Sequence, residues 1–418
     1  MLLVSMKRMN PYKLWLLFIG VLLVSCGSPA KEAVDSGKSN KLLLISFDGF
    51  MNEYIERNET PNFDKLIANG VKAEYMIPVF PTKTFPNHYT IATGLYAENH
   101  GIIANGFYDD NLDARFRFGP IDSSNDERWW GGEPIWITAE KQGLTSATFF
   151  WPGSEASIDG VQSTKWVQYN ESVPEKARID SILAWMDLSG SVQADFGSLY
   201  FSFVDHAGHG SGPNSIEANL AVQRADSLLG YLLDGMSDRG LTDNLNLIVT
   251  SDHGMVELSS ERVIFLDELI DLENVELIDW TPVAMIQPDG RETENVYRAL
   301  KEKENYYRVY KKGDLPDHYH FSDHYRIPEI IMIADVGYTI TSRAFFDERG
   351  VMGGSHGYDY RAPEMRTIFV ADGPAFKNGI KVEPFQSIHI YELMCKILGL
   401  EPAKNDGSFK EVQNLLQK

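Results

Sequence analysis

The sequence predicts an α/β fold in which a doubly wound, mostly parallel sheet carries helices on both faces. Three observations lead to this prediction. Apolar runs typical of buried strands alternate with amphipathic helical segments along most of the chain. Several of these runs end at an acidic residue beside a glycine, as at the carboxyl edge of such sheets. The stretch 257–350 is less regular, so we expect a smaller inserted α+β region there.

The predicted elements follow one another in a regular order. Lys41–Phe47 is an almost continuous apolar run that ends at Asp48, which indicates a strand buried on both faces. Thr60 and Pro61 predict a helix start, because threonine suits the N-cap and proline the first helical position. Further strands are expected over 71–79, 145–150, 199–204, 245–250, 283–287, 306–310 and 366–370, and helices over 61–69, 86–93, 134–142, 174–188, 215–236, 293–302 and 388–398.

Length and charge limit the function. A chain of 418 residues is long enough for a large core. Its formal charge of −21 argues against binding nucleic acid or an anionic membrane through bulk electrostatics, so no nucleic-acid groove is expected. A phosphate-bearing small molecule remains compatible with this acidity, because bound cations can invert the charge locally.

The N-terminus predicts targeting to a bacterial cell envelope. A basic segment precedes the apolar run Leu14–Val24, which is too short for a comfortable membrane span, so residues 1–25 are expected to be a signal peptide. Leu23-Val24-Ser25-Cys26-Gly27 resembles a lipobox, which implies lipidation of Cys26 after cleavage. Residues 26–40 would then be a lipid-anchored flexible tether on the periplasmic side or the outer surface. An ordinary signal peptide with an incidental cysteine is the alternative, and Cys395 is expected to be buried.

Thr84 is the candidate nucleophile. It precedes Phe85-Pro86, and the proline predicts a helix start that places the Thr84 hydroxyl where free amide groups favour an anion. A hydroxyl is a weak nucleophile at neutral pH and needs a base or a metal. Thr84 could otherwise simply cap its helix.

Acidic residues and histidines beside glycines predict the metal. Imidazole nitrogens and carboxylate oxygens are typical zinc ligands, and two Zn²⁺ ions would suit this mixed set. We expect Asp48, Asp252 and His253 to hold one ion together with Thr84, and Asp205, His209 and His356 to hold the other. Each residue alone could be a cap, a turn residue or solvated surface, whereas their joint occurrence favours a metal site. His206 is expected to face away, and the remaining histidines, His88 among them, show no such pattern.

Together these residues resemble the nucleotide pyrophosphatase/phosphodiesterase family of the alkaline phosphatase superfamily. The matching motifs are Phe47-Asp48-Gly49, Lys83-Thr84-Phe85-Pro86-Asn87-His88-Tyr89, Thr93-Gly94-Leu95-Tyr96-Ala97-Glu98-Asn99-His100-Gly101-Ile102, Asp205-His206-Ala207-Gly208-His209, Ser251-Asp252-His253-Gly254-Met255 and Gly354-Ser355-His356-Gly357-Tyr358-Asp359. The resemblance implies an alkaline phosphatase-like catalytic domain over 41–418, two zinc ions and a phosphothreonine intermediate on Thr84. It also implies that Asn105 and the Phe85 amide donate to a phosphate oxygen, although Asn105-Gly106 by itself suggests a turn.

The resemblance also implies the substrate class. A nucleobase would stack between Phe85 and an aromatic ring, for which Tyr169 is the first choice and Tyr200 the second. The expected reaction releases a nucleoside 5′-monophosphate from nucleotides such as ATP or dinucleoside polyphosphates. A choline-type glycerophosphodiesterase or lysophospholipase C is an alternative, with the Trp-rich stretch 126–130 as a pocket for an ammonium group. A noncatalytic, nucleotide-binding envelope lipoprotein is another.

Overall fold

The structure is a computed structural model, and it describes residues 41–117, 125–189 and 192–417. The predicted signal peptide, Cys26 and the tether lie outside these residues. Within the described part of the chain, no helix is both long and apolar enough to cross a bilayer. Cys395 is buried, as predicted.

The secondary structure follows the predicted alternation. The strands are β1 (Lys41–Phe47), β2 (Val71–Ala73), β3 (Met76–Ile77), β4 (Gly106–Asp109), β5 (Ala114–Arg117), β6 (Ser146–Phe149), β7 (Lys165–Val167), β8 (Phe196–Phe201), β9 (Leu245–Thr250), β10 (Val256–Glu257), β11 (Val263–Phe265), β12 (Val275–Asp279), β13 (Val283–Pro288), β14 (Tyr307–Lys311), β15 (Ile330–Ala334), β16 (Thr339–Thr341), β17 (Gly354–Ser355), β18 (Phe369–Asp372), β19 (Ile380–Val382) and β20 (Phe385–Gln386).

The α-helices are α1 (Tyr54–Arg57), α2 (Pro61–Asn69), α3 (Thr84–Thr93), α4 (Ala97–His100), α5 (Ile135–Lys141), α6 (Glu175–Asp187), α7 (Phe203–Ser211), α8 (Ile216–Asp238), α9 (Thr293–Glu302), α10 (Arg343–Arg349), α11 (Ile390–Leu398) and α12 (Phe409–Val412). Short 3-10 turns are Glu127–Trp129, Leu266–Glu268, Leu272–Asn274, Asp317–Tyr319, Pro363–Met365, Ser387–His389 and Gln413–Leu415.

The central sheet has the strand order β19-β2-β18-β9-β1-β8-β6-β7 in the described residues. Strands β9, β1, β8, β6 and β7 run parallel to one another, whereas β18 is antiparallel to both β9 and β2. The prediction of a mostly parallel sheet is therefore confirmed. Because β1 lies between β8 and β9, three adjacent parallel strands end at the same edge, and there the site is built.

Alternate residues of β1 belong to different cores. Leu42 and Leu44 pack with residues of α3, α5 and α11, whereas Leu43 and Ile45 pack with residues of α2, α6 and α8. Side chains of a strand point alternately to its two faces, so this division places helices on both sides of the sheet. A third core surrounds the antiparallel sheet β12-β13-β15-β14, which lies within the stretch expected to be an insertion.

Several boundaries differ from the sequence-based expectations. The strand expected over 71–79 is divided into β2 and β3, and the late strand begins at Phe369 and runs antiparallel. The strand expected over 199–204 is β8, which ends at Phe201. Thr60 makes no side-chain cap, because its hydroxyl donates to Ile55 O. Instead Asp226, on α8, accepts the N–H groups of Asn62 and Phe63 at the start of α2, both at 2.9 Å.

Candidate active site

The Thr84 side chain is buried at the first residue of α3. The preceding Lys83 has an extended backbone and makes no side-chain cap, whereas Asn105 Oδ1 accepts from the Phe85 N–H in the first turn. Thr84 Oγ1 lies 3.3 Å from His253 Nε2. The nucleophile predicted from the sequence therefore sits beside one of its predicted metal ligands.

The side chains predicted to hold the first ion come together around His253. Its Nε2 atom lies 3.2 Å from Asp48 Oδ1 and 3.1 Å from Asp252 Oδ2. Asp48 directly follows β1 and Asp252 follows β9, so neighbouring parallel strands bring the two carboxylates together. All three side chains are almost completely buried.

The side chains predicted to hold the second ion come together around Asp205. Its Oδ1 atom lies 3.3 Å from His209 Nε2 and 3.6 Å from His356 Nε2. The sequence suggested that a strand ends at Asp205, but the structure differs. Asp205 lies in the first turn of α7, and His209 is one helical turn later on the same face.

The His253 and His356 rings stack with their centres 3.4 Å apart, which joins the two groups of ligands into one site. Asp205, His253 and His356 form one compact set of ligand atoms, and Asp48, His88 and Asp252 form another. The structure thus contains two candidate metal-binding groups among the described residues.

The donor atoms of this site suit metal ions. Among the described residues, one carboxylate oxygen each of Asp48, Asp205 and Asp252 is buried without a hydrogen-bond partner. This is costly for a charged group unless a cation neutralises it. His209, His253 and His356 each donate from Nδ1 to a backbone carbonyl, at 2.8–2.9 Å. This arrangement fixes each tautomer and directs the Nε2 lone pair toward the site, as metal-binding histidines require.

Burial and mutual charge shift the pKa values of these groups in opposite directions. Burial raises the pKa values of Asp48 and Asp205, and neighbouring carboxylates raise them further. Burial lowers the pKa of His209 to about 4 and that of His356 well below its usual value. Burial also opposes the charged form of His253, but Asp252 and Asp48 outweigh it and raise its pKa to about 10. A proton and a metal ion therefore compete for His253 Nε2.

Gly49 allows the two groups of ligands to approach each other. Its backbone has a positive φ of 70°, and a Cβ atom built there would lie 2.8 Å from Asp205 Cα. Any larger residue after Asp48 would push α7 away from β1. The glycine beside the acidic strand end thus has a steric role in the site.

His88 is a site residue that the sequence analysis missed. It is fully buried on α3, one turn after Thr84, with Nδ1 2.9 Å from Thr84 O and 3.2 Å from Asp252 Oδ2. Its Nε2 lies 2.8 Å from Ser46 Oγ on β1. The four-residue spacing between Thr84 and His88 could have indicated that both lie on one face of a helix. The helix was predicted to start at Pro86, after Thr84, so this spacing was not recognised.

The expectation that Tyr200 stacks on a base is wrong. Tyr200 is buried on β8, and its hydroxyl donates to Asp48 Oδ2 at 2.6 Å. Its ring lies against His88, with centres 5.1 Å apart. Tyr200 therefore orients a candidate metal ligand and has no free face for a nucleobase.

Tyr169 and Phe85 belong to different surroundings. The Tyr169 ring packs against Phe150 and Tyr200, with centres 5.1 and 6.3 Å away. The Phe85 ring packs against Phe116 and Trp130. Tyr169 reaches the site through its contact with Tyr200, so a base between Phe85 and Tyr169 stays a prediction.

Asn105 lies next to the nucleophile, as the predicted role requires. Its Oδ1 atom accepts a 2.9 Å hydrogen bond from the Phe85 N–H. The side chain thus links β4, which begins at Gly106, to the start of α3. Donation from Asn105 to a phosphate remains a prediction.

The Trp-rich stretch proposed as an ammonium pocket is part of the core. Trp129 and Trp130 are both buried, at 2% and 4% exposure. The Arg326 guanidinium already lies 5.2 Å from the centre of the Trp129 ring, and Trp130 packs on Phe85 and Tyr89. A second cation on Trp129 would compete with this arginine.

Comparisons with known proteins agree with this geometry. The family model described as "Type I phosphodiesterase / nucleotide pyrophosphatase" matches residues 42–359. Human ectonucleotide pyrophosphatase/phosphodiesterase family member 7 is 39% identical over 402 residues, covering 93% of this chain and 85% of that protein. Venom phosphodiesterase CdcPDE of Crotalus durissus collilineatus is 38% identical over 405 residues, or 94% of this chain, which spans about half (48%) of its length.

Solved structures share the fold. Human ectonucleotide pyrophosphatase/phosphodiesterase 5 superposes with a TM-score of 0.87 at 38% identity, covering 90% of this chain and 100% of that one. The murine counterpart, an inactive threonine-to-alanine variant in complex with AMP, superposes with a TM-score of 0.86 at 38% identity, with the same coverage.

Proposed function

Because the chain belongs to the type I phosphodiesterase / nucleotide pyrophosphatase family, we propose that this phosphodiester hydrolase releases nucleoside 5′-monophosphates from nucleotide diesters and anhydrides. The observation that carries the proposal is the position of Thr84. Its buried hydroxyl lies at the start of α3, 3.3 Å from His253 Nε2 and beside carboxylates with unpartnered oxygens. This arrangement suits a nucleophile that attacks the phosphorus atom of an anionic phosphate group.

The reaction has two steps. Thr84 Oγ1 forms a bond to phosphorus while the bond to the leaving oxygen breaks, which gives a phosphothreonine carrying the nucleoside arm. Water then cleaves the phosphothreonine and releases the nucleoside 5′-monophosphate. Two bound Zn²⁺ ions would favour the deprotonated hydroxyl and neutralise the charge that develops on the phosphate oxygens. Asp48, Asp252 and His253 would hold one ion, and Asp205, His209 and His356 the other.

The surrounding groups orient the phosphate and the base. The Phe85 N–H and the Asn105 side chain lie next to Thr84, where they can exchange their mutual hydrogen bond for bonds to a nonbridging oxygen. The Phe85 ring would support one face of the base and Tyr169 the other. The AMP bound to the related murine variant supports a nucleotide as substrate. Lipidation at Cys26 would hold the enzyme at the bacterial cell envelope, as the lipobox-like sequence suggests.

Replacing the nucleophile tests the proposal. The Thr84→Ala protein should lose at least about 1000-fold in kcat on the p-nitrophenyl ester of thymidine 5′-monophosphate, because the covalent step has no acceptor. Its zinc content should stay near two ions per chain, since six other ligands remain. Thr84→Ser, which keeps a hydroxyl, is the matched control and should retain measurable turnover. An alanine variant that turns over at the wild-type rate would refute the assignment of the nucleophile.

A further inference from the structure

A large cavity adjoins the candidate active site on the side of His209. Its volume is about 890 Å³, which is within the range of small-molecule sites. Apolar side chains form much of its wall, namely Leu258, Trp280, Ile340, Phe345, Val351 and Met352. The mechanism described above gives this space no role.

Two contacts join the cavity to the reacting groups. His209 lines it, and its Nε2 atom lies 3.3 Å from Asp205 Oδ1. Thr281 also lines it, and its backbone oxygen accepts a 3.0 Å hydrogen bond from Lys83 Nζ, next to the nucleophile in the chain. The cavity therefore adjoins the site at two points, the candidate metal ligand His209 and the chain segment that carries Thr84.

The wall of the cavity is also part of the support for the ligands. The segment 350–352 lines it and runs directly into Gly353, whose N–H donates to His209 O at 2.9 Å. The next residue, Gly354, accepts the hydrogen bond from His209 Nδ1, also at 2.9 Å. An occupant of the cavity would thus touch residues that hold His209 in place.

The charges around the cavity do not suit a polyanion. Although the chain has 59 acidic residues, none lines the cavity within the described structure. Arg349 is the one lysine or arginine among these lining residues, and it lies 3.3 Å from Glu348. A pyrophosphate group would need several cationic partners, whereas an apolar group needs only the surface that is present.

A phosphodiester has two organic arms, and the two sides of the site differ in chemistry. Phe85, which is expected to support the base, is not part of the cavity wall. Resting on the proposed phosphodiesterase function, we propose that the cavity binds the arm that leaves, and that it favours an apolar arm such as an alkyl chain over pyrophosphate. Burial of several methylene groups in the cavity would favour the octyl arm by more than the cost of ordering its chain.

Two substrates that differ only in the leaving arm test this inference. The octyl and methyl esters of thymidine 5′-monophosphate have the same charge and the same nucleoside. Wild-type protein should cleave the octyl ester with a kcat/KM at least about tenfold higher, a factor that corresponds to only 1.4 kcal/mol. In the double variant Phe345→Ser/Met352→Ser the ratio should fall below about three.

These two positions suit mutation because Phe345 and Met352 are 55% and 50% exposed, so the fold should tolerate serine there. Val336→Ser is the matched control, since Val336 is 39% exposed and does not line the cavity. This control should leave the ratio of the two esters unchanged. A ratio near one in wild type, or one that the double variant leaves unaltered, would overturn the inference.

Calorimetry gives a readout that does not depend on turnover. Octyl phosphate should bind the zinc-loaded protein at least about tenfold more tightly than methyl phosphate, with a more negative heat capacity change. Equal affinities, together with cleavage of both esters, would refute the cavity assignment and leave the phosphodiesterase function standing. Tighter binding of octyl phosphate by a protein that cleaves neither ester nor the p-nitrophenyl ester would refute the function instead.

Discussion

The two halves of the candidate metal site differ in their access to solvent. The side chains of Asp48, Asp252 and His253 are at most 2% exposed, whereas those of Asp205 and His209 are 11% and 25% exposed. The buried half follows the ends of strands β1 and β9 in the middle of the sheet. The open half lies on α7 and on the glycine-rich segment near the cavity. In the proposed reaction, the buried half would fix Thr84 while the open half would meet a variable substrate.

Removing the central carboxylate of the buried half should have the largest effect. Asp252 lies beside both His88 and His253 and accepts from the Gly49 N–H. Burial alone would raise its pKa, but the two histidines outweigh burial and hold it below the usual value. We expect Asp252→Asn to lower the free energy of unfolding of the metal-free protein by about 3–5 kcal/mol, as when a buried ion pair is broken. Urea unfolding at pH 7 would measure this.

The matched variant in the open half is His209→Asn. It loses the bond to Gly354 O at a partly exposed site, so the metal-free protein should lose only about 1 kcal/mol. Both variants should bind fewer metal ions. Similar losses of stability in the two variants would remove the distinction between a buried and an open half.

A smaller effect is expected at the hydrogen bond that orients Asp48. Tyr200→Phe removes the hydroxyl that donates to Asp48 Oδ2, and we expect it to weaken zinc binding about 10- to 100-fold, as is typical for groups that position a ligand. Competition with a chromophoric chelator would measure the affinity. Tyr54→Phe is the control, because the buried Tyr54 hydroxyl has no hydrogen-bond partner in the described structure. If both variants bind zinc as wild type does, Tyr200 has no positioning role.

The smallest expected effect is on the pH dependence of stability. It concerns His100, a buried histidine outside the candidate metal site. Burial lowers the pKa of His100 to about 3, and the nearby His324 and Arg326 also disfavour its charged form. The ring bonds to Thr90 Oγ1 and accepts from the Ile102 N–H. The unfolded chain takes up this proton near pH 6.5, so His100 costs stability as the pH falls below that value. Between pH 6.5 and 5.5 the loss is about 1 kcal/mol, because the unfolded imidazole is already half protonated at pH 6.5.

His100→Asn should remove this contribution. Asparagine can still accept from the Ile102 N–H, and it does not titrate in this range. Urea unfolding at the two pH values should therefore show that wild type loses about 1 kcal/mol more than the variant. The same loss in both proteins would show that His100 is protonated in the folded state.

The alternation of strands and helices along the chain and the site motifs were readable from the sequence for local reasons. Continuous apolar runs identified β1 and β9, and the acidic residues after them predicted the edge where the ligands meet. Lys41–Phe47, Leu245–Thr250 and Thr293–Glu302 were predicted with the boundaries that the structure shows. The motif around Thr84 also placed the hydroxyl at a helix start, and each of these signals spans only a few residues.

Errors arose where a residue's role depends on distant neighbours. Asp205 was expected after a strand, because its glycine-rich surroundings suggest a turn, yet the segment forms α7 against the site. Tyr200 has an aromatic ring suited to stacking, but its position on β8 beside β1 directs its hydroxyl to Asp48. His88 lies in the motif around Thr84 but was given no role, and only the packing of α3 against Ser46 and Asp252 placed it in the site.

By itself the sequence determined which chemical groups the chain possesses and the kind of local structure that carries each of them. Only the tertiary structure decided which groups meet in the site. Gly49 and Asp252, for example, are 203 residues apart and meet through the register of neighbouring strands. It also decided the protonation of these groups, since burial and the charges beside it set a pKa, and neither is encoded in any short stretch of the chain.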